Sequence, residues 1–106
     1  MGMRKKIYVV GEKTFTLGFE LAGIRNVVNT ENMHESEIFE KLMEIAEKGE
    51  AGLVIVEDKV YEKLEKRAKR MLESFKEPLF ISFSEKFGSE TLREKILQTI
   101  GIDLLG

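Results

Sequence analysis

Lys6-Ile7-Tyr8-Val9-Val10-Gly11-Glu12, followed by Thr14-Phe15-Thr16-Leu17-Gly18-Phe19-Glu20-Leu21-Ala22-Gly23-Ile24, is the stretch that decides the fold. Ile7 to Val10 is a continuous apolar run that stops at Gly11, the pattern of a parallel strand buried on both faces. Thr14 is the expected N-cap of the next element, because its hydroxyl can accept an amide that a helix start leaves unpaired. That helix runs to about Ala22, and Gly23 suits its C-terminal stop. Gly18 inside it is unfavourable by about 1 kcal/mol relative to alanine. Close packing of the helix backbone on the sheet is the expected compensation.

The alternation continues outward from this unit. Val27-Val28 reads as a short strand. Ile38, Leu42 and Ile45 then mark one face of a helix, widened by Phe39, Met43 and Ala46, and Gly49 ends it. Leu53-Val54-Ile55-Val56 is a second fully apolar strand. Asp58 is placed to cap a third helix that buries Val60, Leu64, Ala68, Met71 or Leu72, and Phe75. Pro78 closes it by disfavouring helical geometry at Glu77. Leu79-Phe80-Ile81-Ser82-Phe83 is the fourth strand. The order β-α-β-α-β-α-β predicts an α/β fold: a four-stranded parallel sheet with helices on both faces, Rossmann-like or receiver-like, plus a C-terminal helix. The expected division is an α/β domain over 1–83, a linker over 84–88 and a helical segment over 89–106.

Composition narrows the function. The chain has 106 residues, enough for one domain that buries roughly 65% of its unfolded surface. With 42% hydrophobic and 34% charged residues it belongs to the folded class. A net charge of -2 provides no global field toward nucleic acid or an anionic membrane. The absence of cysteine excludes a disulfide, a thiol nucleophile and a cysteine metal site. No apolar run approaches the ~20 residues of a membrane span, so direct membrane insertion is not expected. The apolar run after Arg4, Lys5 and Lys6 is too short for a secretory signal, and a cytoplasmic location is expected.

The chemistry-bearing signals are few. Gly11 stands where a phosphate loop would begin, but Glu12, Lys13 and Thr14 follow it, and Gly18 and Gly23 lie too far along for a dinucleotide fingerprint. A tight turn is the favoured reading, and no cofactor is expected. Glu57-Asp58 after a buried strand suggests a phospho-accepting receiver, yet the first strand lacks the acidic pair that would hold its metal. Helix capping by Asp58 explains that pair better. His34 is the sole histidine and sits in a polar helix start, so it reads as solvated, with no metal role. Lys66-Arg67-Ala68-Lys69-Arg70 is the most basic patch. Glu62, Glu65 and Glu73 lie at helical spacings that permit ion pairs, and no aromatic residue interleaves for base stacking.

The terminal segment carries the strongest contact signal. Leu92, Ile96, Ile100 and Leu104 recur every four residues, with Leu97 alongside, opposite Arg93, Glu94, Lys95 and Gln98. Such a stripe docks on its own domain or on a partner helix. Leu92, Ile96, Leu97 and Ile100 are the expected partner-binding residues.

In order and spacing these pieces resemble the F subunits of the archaeal and vacuolar-type rotary ATPases. The resemblance rests on Gly11-Glu12, Thr16-Leu17-Gly18-Phe19-Glu20-Leu21-Ala22-Gly23, Gly52-Leu53-Val54-Ile55-Val56-Glu57 and Ile100-Gly101-Ile102-Asp103-Leu104. The chain departs from the family pattern at Glu12, where Asp is frequent, and at Ser82 to Gly88, where prolines and a glycine-rich turn are frequent. The resemblance implies a non-catalytic central-stalk protein, monomeric alone. It would bind the coiled coil of the stalk's D subunit and reach toward the catalytic head subunits, peripheral to the membrane through the complex. The alternative class is a free-standing receiver-like or small-ligand-sensing domain, and a third is a dimerising scaffold.

Overall fold

The computed structural model describes residues 5–83. The elements run β1 (Lys6–Gly11), α1 (Lys13–Leu21), β2 (Asn26–Asn29), α2 (Glu35–Lys48), β3 (Ala51–Glu57), α3 (Asp58–Glu62), α4 (Lys66–Glu73) and β4 (Leu79–Phe83). The strands form one sheet in the order β2-β1-β3-β4. Every pairing is parallel, with Val9 opposite both Val27 and Ile55, and Ile55 opposite Ile81. The α/β class and the all-parallel sheet are as the sequence predicts.

Side-chain alternation along the strands sorts the core into two layers. Val10, Val54 and Val56 point to one face, where Ile38, Leu42 and Ile45 of α2, Val60 of α3 and Leu72 of α4 cover them. Ile7, Val9, Leu53 and Ile55 point to the other, against Phe15 and Phe19 of α1 together with Ile81 and Phe83. Leu53 to Val56 have no exposed surface, as an interior parallel strand requires. Gly49 ends α2 at φ 78°, in the left-handed region that a side chain resists. No helix of the described residues is long and apolar enough to cross a membrane.

Three local expectations are corrected. The first helix starts at Lys13 with Glu12 as N-cap, two residues before Thr14. Carboxylates from elsewhere in the fold meet its first amides, so no hydroxyl cap is needed. The third helix is broken into α3 and α4 at Lys63, Leu64 and Glu65. At 3.6 residues per turn, a spacing of four drifts by about 40° per repeat. One straight helix carrying Val60, Leu64, Ala68 and Leu72 would therefore turn its stripe away from the sheet. The break lets Val60, Leu64 and Leu72 all become buried.

The third correction concerns Gly18, which does not pack on the sheet. It is exposed, and a β-carbon there would meet nothing within 4 Å. Phe15, Thr16 and Phe19 take the inward positions of α1, while Leu17 and Leu21 stay 47% and 81% exposed. With no local contact to lose, Gly18→Ala is expected to stabilise the protein by about 1 kcal/mol through helix propensity alone. A thermal melt of the variant checks this; a lowered midpoint contradicts it.

Candidate functional site

In open α/β sheets, ligands gather outside the carboxyl ends of the strands where the chain reverses its direction of travel across the sheet. Here that point lies between β1 and β3, at Gly11 and Glu57. The chain's own side chains fill it. Glu57 folds back over Gly11, and its Oε1 accepts the backbone N–H of Glu12 at 2.9 Å. A β-carbon on residue 11 would lie 2.6 Å from Phe15 Cδ2 and 2.9 Å from Glu57 Cβ, so only glycine leaves room. Lys59 Nζ then bridges, 2.7 Å from Glu12 Oε1 and 3.8 Å from Glu57 Oε2.

The start of α1 is engaged in the same way. The N–H of Lys13 donates to Glu31 Oε2 at 2.8 Å, and Asn29 Oδ1 accepts the N–H of Glu31 at 2.9 Å, holding that turn. Two amides that could have cradled a phosphate thus face carboxylates, which also complement the positive end of the helix dipole. An anionic ligand placed there would meet Glu12, Glu31 and Glu57 together. The geometry does not support the nucleotide reading. Asp58 does not cap α3 as expected: Glu57 holds the N-cap position because its carboxylate is drawn to the Glu12 amide, and Asp58 is the first helical residue, its Oδ1 accepting the N–H of Lys59 at 2.7 Å.

The ion pair sets a pH signature. The hydrogen-bonded Lys59 ammonium holds Glu12 below the ordinary carboxylate value of 4.5. Glu12, and then Glu57, hold Lys59 above its ordinary 10.5. A lowered carboxylate contributes stability that is complete above pH 4.5 and lost as pH falls through its folded value. A raised ammonium contributes stability that is complete below pH 10.5 and lost as pH rises through its folded value. Melting curves of the wild type and Glu12→Gln are therefore expected to differ near pH 7 and to converge well below pH 4.5. A constant difference down to acid pH would count against the pair.

Elsewhere, His34 is exposed at the N-cap of α2, where its backbone N–H donates to Glu37 Oε1 at 3.0 Å. The basic patch departs from expectation. Among the described residues, Lys66, Arg67, Lys69 and Arg70 make no ion pair with Glu62, Glu65 or Glu73. The break before α4 places Glu62 outside that helix, so helical spacing no longer aligns it with the basic residues, and leaves Glu65 as the N-cap of α4. Glu73 instead accepts the Tyr61 hydroxyl at 2.7 Å, and Lys69 lies over the Tyr61 ring at 5.6 Å. Burial, reinforced by Glu73, pushes the Tyr61 hydroxyl well above the ordinary phenol range.

The sequence-predicted contact residues Leu92, Ile96, Leu97 and Ile100 lie outside the described residues, as do the linker and terminal helical segment. The structure does, however, locate where the described chain stops. Phe83, the last residue of β4, packs with Phe15 and Phe19 at ring separations of 6.2 Å on the α1 face. Sequence reading missed the contribution of Glu57. It weighed this residue only beside Asp58, whereas the bond to Glu12 joins residues 45 apart in the chain.

Comparison with known proteins gives a consistent result. Residues 7–100 match the family described as ATP synthase (F/14-kDa) subunit. The chain is 35% identical over 100 residues to the A-type ATP synthase F subunit of Archaeoglobus fulgidus, covering 94% of this chain and 97% of that protein. It is 30% identical over 104 residues to the A-type ATP synthase F subunit of Haloferax volcanii, covering 97% and 98%. The crystal structure of the V-type ATP synthase F subunit from Archaeoglobus fulgidus is similar, with a TM-score of 0.64 and 28% identity. It covers 76% of this chain and 99% of that one.

Proposed function

Because this chain belongs to the family of ATP synthase (F/14-kDa) subunits, we propose that it works as a non-catalytic central-stalk subunit of a V/A-type rotary ATPase. In that role it binds the coiled coil of the D subunit and couples or regulates ATP turnover with ion transport. It reaches toward the catalytic head subunits and stays cytoplasmic, peripheral to the membrane through the complex. The observation that carries the reading is the family match over residues 7–100, which takes in the sheet and the stripe Leu92, Ile96, Leu97 and Ile100. The chemistry of the switch point supports it too. Glu57 and Glu12 share the single Lys59 ammonium and occupy the crevice where a receiver or a sensor would hold its ligand.

In this reading the sheet is a rigid carrier and the terminal stripe is the contact. A rotor part needs contact area and stiffness, with ATP bound elsewhere in the complex. Calorimetry with the purified D subunit tests it. The full chain is expected to bind one-to-one, and a truncation ending at Gly88 to bind at least about tenfold more weakly, a loss of about 1.4 kcal/mol. Undiminished binding by the truncation would move the interface to the α/β domain. No binding by the folded full chain would overturn the reading and favour a ligand-sensing domain.

A further inference from the structure

The charges of α4 oppose their own helix. It carries Lys66, Arg67, Lys69 and Arg70 against one acid, Glu73. Lys66 and Arg67 stand in the first turn, where the helix dipole disfavours cations, and no acid accompanies them there. Lys66 and Arg70 are four residues apart, and Arg67 and Arg70 three, spacings at which like charges repel. The nearby acids do not offset them. Glu73 accepts the Tyr61 hydroxyl at 2.7 Å, and Glu62 belongs to α3. Glu65, the N-cap, forms no ion pair with any of the four among the described residues. Lys69 is half-buried over the Tyr61 ring, whereas Lys66, Arg67 and Arg70 are exposed on one face. A local conflict of this kind, kept at the surface, is the signature of a binding site.

We infer that the Lys66, Arg67 and Arg70 face of α4 docks an acidic surface of another subunit of the same assembly. The inference rests on the reading of this chain as an assembled subunit and adds a contact apart from the terminal stripe. The three cations span about 6 Å along the helix axis, which matches two carboxylates one helical turn apart. The two guanidinium groups can each grip a carboxylate through paired hydrogen bonds. An extended anionic surface fits less well. Next to α4 lies α2, with Glu35, Glu37, Glu40, Glu44 and Glu47, so a bilayer or a nucleic acid would meet those glutamates as well. A second copy would have to present α2, where Lys41 already pairs with Glu44 at 3.7 Å.

The full chain is added to ATP synthase complex stripped of this subunit, and a carbodiimide then joins lysine amines to carboxylates in contact with them. Mass spectrometry is expected to find Lys66 joined to an Asp or Glu of another subunit. Lys66→Glu combined with Arg67→Glu is expected to weaken rebinding about tenfold at low salt and less at high salt. The same variant, alone in solution, is expected to melt about 2–5 °C higher than the wild type, because acids suit the first turn. Lost rebinding with a raised midpoint separates docking from folding, and a lowered midpoint overturns the premise that these cations oppose their helix. Arg25→Glu combined with Lys48→Glu makes the same change in net charge at exposed positions outside α4 and is expected to leave rebinding unchanged. Unchanged rebinding by the Lys66 and Arg67 variant, or equal weakening by both pairs, overturns the inference. So does crosslinking of Lys66 only to a second copy or to residues 84–106. Retention of the full chain on phosphatidylserine vesicles or single-stranded RNA, lost in the Lys66 and Arg67 variant, overturns it too. Failure of the unmodified chain to rebind overturns the assembled-subunit reading itself, so the two failures are distinguishable.

Discussion

Leu42→Ala is expected to lower the unfolding free energy by about 3 kcal/mol, within the range for leucine truncation at fully buried sites. Leu42 has no exposed surface and lies at the centre of α2, among Ile38, Ile45, Val10, Val54 and Val56. Truncation removes three carbons from a layer wedged between a helix and a sheet whose backbone is fixed by parallel pairing on both sides of β1 and β3. Neither side can close the void without breaking hydrogen bonds, which sets the cost above the transfer term alone. Since folded domains are stable by only about 5–15 kcal/mol, one such change removes a large share. Urea denaturation reads the effect as a lower midpoint at an unchanged slope. Met71→Ala, at a half-exposed site, is expected to cost under about 1 kcal/mol in the same assay. A Leu42 loss as small as that would mean that α2 is not seated over this core.

Gly11→Ala is the second large effect, expected to cost about 2 kcal/mol through overpacking. The added carbon would fall inside contact distance of Phe15 Cδ2 and Glu57 Cβ, and neither neighbour can retreat cheaply. Phe15 is buried and packed against Phe19, with ring centroids 5.1 Å apart, and against Phe83. The β-carbon of Glu57 is fixed by the backbone of β3, paired there with β4. Relief must therefore come from parting β1 and β3 at their carboxyl ends, which also weakens the Glu12 to Glu57 hydrogen bond. Denaturation of Gly11→Ala alone and combined with Phe15→Leu checks the mechanism, since the smaller side chain should recover part of the loss. An alanine variant as stable as the wild type would show that the crevice is less tightly filled than its geometry requires.

The sheet was legible because its central strands declare themselves. Ile7 to Val10 and Leu53 to Val56 are apolar without alternation, and a strand of that kind is stable only inside a parallel sheet covered on both faces. Helix breaks were less legible. Lys63, Leu64 and Glu65 contain no glycine or proline, and the chain bends there only because Leu64 must reach the core together with Val60 and Leu72. The same bend took Glu62 out of the helix that carries the basic residues, while Glu73 turned to the Tyr61 hydroxyl instead, so the ion-pair pattern inferred from helical spacing did not form among the described residues. The filled crevice was invisible for a different reason. Glu57 meets the Glu12 amide only once β1 and β3 are aligned with Val10 opposite Val56, a register no local pattern encodes. Gly18 misled because a helical glycine signals a close approach without saying from which side.

The parallel pairing of β4 also bears on how the protein carries load. Leu79, Phe80, Ile81, Ser82 and Phe83 are matched in step with Leu53 through Glu57 of the interior strand. A tug on the chain at residue 84, directed along the strand, strains all of these rungs together in shear. Pulling sideways would instead peel them apart one at a time. The same edge strand is thus a firm tether lengthwise and a weak one crosswise, and the direction of pull at its exit decides which of the two a neighbouring molecule feels.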